Sequence, residues 1–138
     1  MFSNKQKKIV IGVIGHDIHS VAIKLLEIEL ENQDYKVLNL GVDTEPELFK
    51  DAAIEFGADA VLISSLNGEW KHWLPQFTNI SKDINEKPLY YLGGNIFSSN
   101  KVERNKELKT IQASGIKKVF DKNKNFNNVT NQLKKDLA

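Results

Sequence analysis

The chain has 138 residues, 41% hydrophobic and 27% charged, which suits one soluble domain spanning 1–138, and its net charge of +1 offers no electrostatic reason for a nucleic-acid partner. There are no cysteines, which excludes disulfides, thiolate zinc sites, iron–sulfur ligation and thiol catalysis together. No apolar run nears the roughly 20 residues of a membrane-spanning helix, and Met1–Lys8 leads into a strand-like run with no signal-peptide core, so a cytoplasmic protein without a membrane partner is expected.

The first apolar run, Ile9-Val10-Ile11-Gly12-Val13-Ile14, does not alternate with polar residues, as expected of a strand covered on both faces. Val21 to Leu30 then repeats apolar residues at three and four, a helical stripe with Glu27 and Glu31 outside it. Tyr35 to Leu40 reads as a second strand. Thr44 with Glu47 forms a capping-box pattern with Pro46 in the first turn, opening a helix that Gly57 closes. Ala60-Val61-Leu62-Ile63 is a third strand and Pro88 to Leu92 a fourth, with a weakly patterned helical segment at 69–84 between them. A helix at 101–114, a short edge strand at Lys117-Lys118-Val119-Phe120 and a helix at 126–137 complete the chain. Strand and helix alternate five times, which predicts an α/β fold: a five-stranded parallel sheet with helices on both faces, flavodoxin-like or Rossmann-like, and ligands at the carboxyl ends of the strands.

The loops after Ile14, Leu40, Ile63, Leu92 and Phe120 are therefore where chemistry is sought. After the first strand comes Gly15-His16-Asp17-Ile18-His19-Ser20, which holds two of the three histidines and a carboxylate. An imidazole that binds a metal through one nitrogen commonly donates its other N–H to a carboxylate, and Asp17 stands where it could do this for His19. The competing reading is that Asp17 or Ser20 caps the helix and the histidines are ordinary loop residues. A zinc site from His16, His19 and His72 lacks a recognised ligand spacing, and Gly12-Val13-Ile14-Gly15 is neither a dinucleotide turn nor a P-loop. The third and fourth strands open into Ser64-Ser65-Leu66 and Gly93-Gly94-Asn95, small residues that permit close approach of a bulky ligand or simple turns.

Taken in order, these residues resemble the cobalamin-binding domain family, and within it the small cobalamin-binding subunits of glutamate mutase, over about Ile9 to Ile96. The marker D-x-H-x-x-G stands here as Asp17-Ile18-His19-Ser20-Val21-Ala22, followed by S-x-L as Ser64-Ser65-Leu66 and G-G as Gly93-Gly94. Leu40-Gly41-Val42, Glu47-Leu48-Phe49, Ala58-Asp59-Ala60 and Gly94-Asn95-Ile96 extend the likeness. The resemblance implies adenosylcobalamin bound base-off, with His19 as the lower axial ligand to cobalt and Asp17 hydrogen-bonded behind it. It further implies a cofactor site formed by His16, Asp17, Ile18, His19, Ser20, Ser64, Ser65, Leu66, Gly93, Gly94, Asn95, Ile96 and Phe97. Ser64 would face the base of the displaced nucleotide tail and Leu66 would line the apolar side of its groove. Members of this size carry no substrate-site residues of their own. They work with a large barrel-type catalytic subunit in the radical rearrangement of glutamate to 3-methylaspartate.

Three departures stand out. Ala22 occupies the motif glycine position, Asp121-Lys122-Asn123-Lys124-Asn125 replaces a Gly-Thr-containing loop, and Trp70 and Trp73 are either core residues or an anchor for a partner. Two rival readings are a cobalamin module for delivery or sensing and a receiver-like domain without cobalamin. The second is disfavoured because Lys117 and Lys118 precede the fifth strand instead of following it.

Overall fold

The computed structural model describes residues 6–15, 20–66, 68–77, 86–122 and 126–138. The strands are β1 (Lys8–Val13), β2 (Lys36–Asn39), β3 (Ala60–Ser65), β4 (Leu89–Gly94) and β5 (Ile116–Asp121). The helices are α1 (Val21–Asn32), α2 (Pro46–Phe56), α3 (Trp70–Trp73), α4 (Lys101–Ala113) and α5 (Asn127–Asp136), and a 3-10 turn at Leu74–Phe77 prolongs α3. All strand pairs are parallel, in the order β2-β1-β3-β4-β5. That order reverses between β1 and β3, so the expected crevice opens beyond their carboxyl ends. Among the described residues no helix is long and apolar enough to cross a membrane.

Strand alternation divides the core into two layers. Ile9, Ile11, Val13, Leu62, Tyr91 and Phe120 face α1 and α5, where they meet Ile23, Leu26, Leu30, Val129 and Leu133. Val10, Ile14, Val61, Ile63, Tyr90 and Leu92 face the other way, onto Phe49, Ala53, Trp70, Leu74 and Ile111. Gly12 has no side chain because the Phe49 ring fills that space: a Cβ there would lie 2.9 Å from it.

Two local expectations changed. Thr44 does not cap α2: its N–H donates to the Val13 carbonyl at 3.0 Å, its carbonyl accepts from Gly15 at 2.8 Å, and it bridges to Ile14 as an extension of the sheet. Glu45 therefore takes the N-cap position without a side-chain hydrogen bond, while Gly57 closes the helix at φ 69° as expected. Between β3 and β4 the structure has only one turn of α-helix and a 3-10 turn, and the part of the predicted segment at 78–84 lies outside the described residues.

Glu107, on α4, is 4% exposed and ties this layer together. Its Oε1 accepts from Ser98 N–H at 3.1 Å, and its Oε2 forms an ion pair with Lys71 Nζ at 2.8 Å, outside good hydrogen-bond direction. Burial pushes this carboxyl up, but Lys71 and the Ser98 backbone outweigh it and hold the group below its ordinary value of 4.5. A carboxyl depressed in the folded state stabilises above its unfolded value and loses that contribution as pH falls through the folded one. Thermal unfolding across pH 3–7 should show a loss in the wild type below about pH 4.5 that is reduced in Glu107→Gln. At pH 7 the variant should be less stable by about 1–3 kcal/mol.

Candidate functional site

β3 and β4 run two residues further than the apolar runs indicated, so Ser64, Ser65, Gly93 and Gly94 are strand residues and alternate between the faces. Val13, Ser64, Gly93 and Phe120 are register partners across the sheet and form its last row on the α1–α5 face. The row beneath contributes Leu62 and Tyr91, with Phe120 stacked on Tyr91 at 6.0 Å. Because Gly93 lacks a side chain and Ser64 has a short one, α1 and α5 do not close over this edge. A cleft of about 280 Å³ remains, lined by Ala22, Ile23 and Leu26 of α1, Leu62, Ser64, Leu66, Tyr91, Gly93, Gly94, Asn95, Phe120 and Lys122 of the sheet and its loops, and Phe126 and Val129 near α5. Apolar walls with few polar groups are the usual make-up of a small-molecule site.

The opposite face of the same edge holds the rim in place. Ser65 is fully buried there, and its Oγ accepts from the N–H of Trp70 at 3.2 Å. Trp70 is core, and its Nε1 donates to the Ile96 carbonyl at 3.1 Å. Trp73 is half-buried, donates to Glu69 Oε2 at 2.9 Å and packs where a Gly15 side chain would be, so both tryptophans serve the rim. Ile96 is buried and Phe97 half-buried in this second layer, away from the cleft. Asp121 fixes their backbone: its Oδ1 accepts from Ile96 N–H at 2.7 Å and Phe97 N–H at 3.2 Å.

Of the thirteen predicted site residues, Ser64, Leu66, Gly93, Gly94 and Asn95 are thus brought together at the cleft, while Ser65, Ile96 and Phe97 support it from behind. Ser20 precedes α1 without a side-chain capping bond and lies on a separate shallow surface with Val21 and Leu25. His16, Asp17, Ile18 and His19 lie outside the described residues. His72 is exposed, and no cluster of three or more metal-ligating side chains occurs among the described residues. Sequence reasoning missed Tyr91, Phe120, Lys122, Phe126 and Val129. Only the register of β4 with β5 and the docking of α5 bring them to the cleft.

Tyr91 is fixed beneath it: its hydroxyl donates to Asp136 Oδ2 at 2.6 Å, and Gln132 Nε2 donates to the same carboxylate at 3.0 Å. Burial, with the neighbouring Asp136, pushes the Tyr91 phenol well above its ordinary value, so it stays neutral and binds α5 to the sheet.

Residues 7–112 match the family model described as B12 binding domain. The chain is 36% identical over 136 residues to glutamate mutase sigma subunit 2 of Haloarcula marismortui, covering 96% of this chain and 88% of that one. It is 35% identical over 136 residues to the glutamate mutase sigma subunit of Fusobacterium nucleatum (96% and 97%) and 36% identical over 138 residues to that of Carboxydothermus hydrogenoformans (97% and 98%). A crystal structure of a cobalamin-binding protein from Desulfitobacterium hafniense DCB-2 has the same fold, with a TM-score of 0.70 at 15% identity, over 97% of this chain and 60% of that one. The chain therefore belongs to the cobalamin-binding domain family and, within it, to the family of the glutamate mutase sigma subunits.

The two adjacent glycines have different reasons. Gly94 adopts φ 121°, and a Cβ there would overlap the Ser65 carbonyl oxygen, whereas one on Gly93 would make ordinary contact with the Phe120 backbone at 3.5 Å. Gly94→Ala should cost roughly 2–5 kcal/mol in urea unfolding. Gly93→Ala should leave stability within about 1 kcal/mol and instead narrow the cleft.

Proposed function

We propose that this chain is the cobalamin-binding subunit of an adenosylcobalamin-dependent carbon-skeleton mutase that interconverts glutamate and 3-methylaspartate, and that it acts only with a large barrel-type catalytic subunit in the cytoplasm. The observation that carries this reading is the cleft at the Ser64–Gly93 edge of a chain in this family. The nucleotide tail of cobalamin is a flat heteroaromatic base on a ribose phosphate. The residues present suit such a group: Gly93 leaves its face of β4 bare, Ser64 offers a hydroxyl, and Ile23, Leu66 and Phe126 are apolar.

On this reading Ser64 gives or accepts a hydrogen bond at the tail base. Leu26, Leu66, Phe120 and Phe126 keep water from it, and Tyr91, locked to Asp136, keeps the floor rigid. Asp121 and Trp70 hold the Asn95–Phe97 segment so that the mouth stays open. His19 would hold the cobalt through a ring nitrogen, and Asp17 would accept the other ring N–H and so fix the tautomer. Ala22 adds a methyl where the family motif has glycine and narrows the entrance from the α1 side. Bound adenosylcobalamin supplies the radical chemistry, through its cobalt–carbon bond, and the protein supplies the hold and the orientation.

Absorption spectroscopy of the purified chain titrated with cobalamin tests the assignment. The wild type should give a base-off spectrum with nitrogen ligation, and His19→Ala should lose that signature and bind about 10–100-fold more weakly, the range seen when metal-site partners are removed. An unchanged spectrum in His19→Ala would show that His19 is not the axial ligand. Glutamate isomerisation on adding a large mutase subunit separates the mutase role from delivery or sensing.

A further inference from the structure

Lys122 is the single charged side chain among the described residues that line the cleft. It follows directly on β5, which ends at Asp121. Its position is built into the fold. The backbone is left-handed at φ 55°, uncommon for a residue with a side chain, and its N–H donates to the Gly94 carbonyl at 2.7 Å. Lys122 belongs to the lining of the cleft, and its ammonium donates to the Phe97 carbonyl at 2.7 Å and lies 3.5 Å from Asp121 Oδ2. Asp121's other oxygen is taken up by the Ile96 and Phe97 N–H groups, so this carboxylate is shared between the loop and the lysine. An ammonium has three donors, and two are directed at these partners. The side chain is 49% exposed, so the third is open to solvent and to an anion that enters beside it.

An apolar cleft with one cation among its lining residues suits a ligand with an apolar body and one anionic group. We propose that Lys122 is a specificity residue that receives the phosphodiester of the cobalamin nucleotide tail. This rests on the cobalamin reading above and adds to it the group that recognises the tail's anion.

The test compares binding of cobalamin with binding of cobinamide, the same corrin without the phosphodiester, ribose and base, to the purified full chain. Lys122→Met keeps the apolar stem and removes the charge, and Lys122→Arg keeps the charge. Lys122→Met should weaken cobalamin binding about three- to tenfold, the size of a partly exposed charge-assisted contact, and flatten its salt dependence. It should leave cobinamide binding unchanged, and Lys122→Arg should retain wild-type affinity for both. Equal weakening toward cobalamin and cobinamide in Lys122→Met would overturn the proposal, since the lysine would then act only by holding the Phe97 loop. So would undiminished cobalamin binding. If the wild type bound neither corrinoid, the cobalamin reading itself would fall, an outcome distinct from a wild type that binds cobalamin no better than Lys122→Met does.

Discussion

The cleft depends on one close approach, that of Gly94 to the carbonyl of Ser65. At φ 121° the Gly94 backbone turns so tightly against β3 that no Cβ fits, and the next residue, Asn95, donates its N–H to the same Ser65 oxygen at 3.0 Å. The Gly94 carbonyl in turn accepts from Lys122, which draws the end of β5 against the end of β4. Three strand ends are thereby clamped together, and the row one residue earlier, Ser64–Gly93–Phe120, lines the cleft.

From that clamp the two faces take different tasks. Behind the sheet, Trp70 links the ends of β3 and β4 through Ser65 and Ile96, and Asp121 satisfies two backbone N–H groups of the turn that follows β4. These bonds use the polar groups that irregular backbone at a strand end would otherwise leave unpaired. In front, the Tyr91–Asp136–Gln132 chain positions α5, so that Val129 and Phe126 form one wall while α1 forms the other. Rigidity comes from the covered side, which leaves the open side apolar and unobstructed. A preformed cavity spares a ligand the cost of ordering the protein.

Much of this was legible in the sequence. Unbroken apolar runs such as Ile9 to Ile14 and Ala60 to Ile63 mark strands buried on both faces, and strict alternation with helices leaves little besides a parallel sheet. The motif residues Ser64, Leu66 and Gly93 also pointed to the cleft that they line. The roles of their neighbours were hidden, because Ser64-Ser65 and Gly93-Gly94 read as loop openings. As strand, Ser64 and Ser65 split between faces, one at the cleft and the next in the opposite layer, where Ile96 and Phe97 also lie, while Gly93 and Gly94 both line the cleft. Thr44 was misread for a similar reason. A capping box is a local pattern, and a backbone pairing with Val13 and Gly15 outbid it.

The sequence by itself determined the fold class and the family, since each rests on local periodicity or on short ordered motifs. Only the tertiary structure decided which side of the sheet opens and that Tyr91, Phe120, Phe126 and Lys122 line the opening. Those outcomes depend on strand register and helix docking between residues far apart in the chain, which no local pattern encodes.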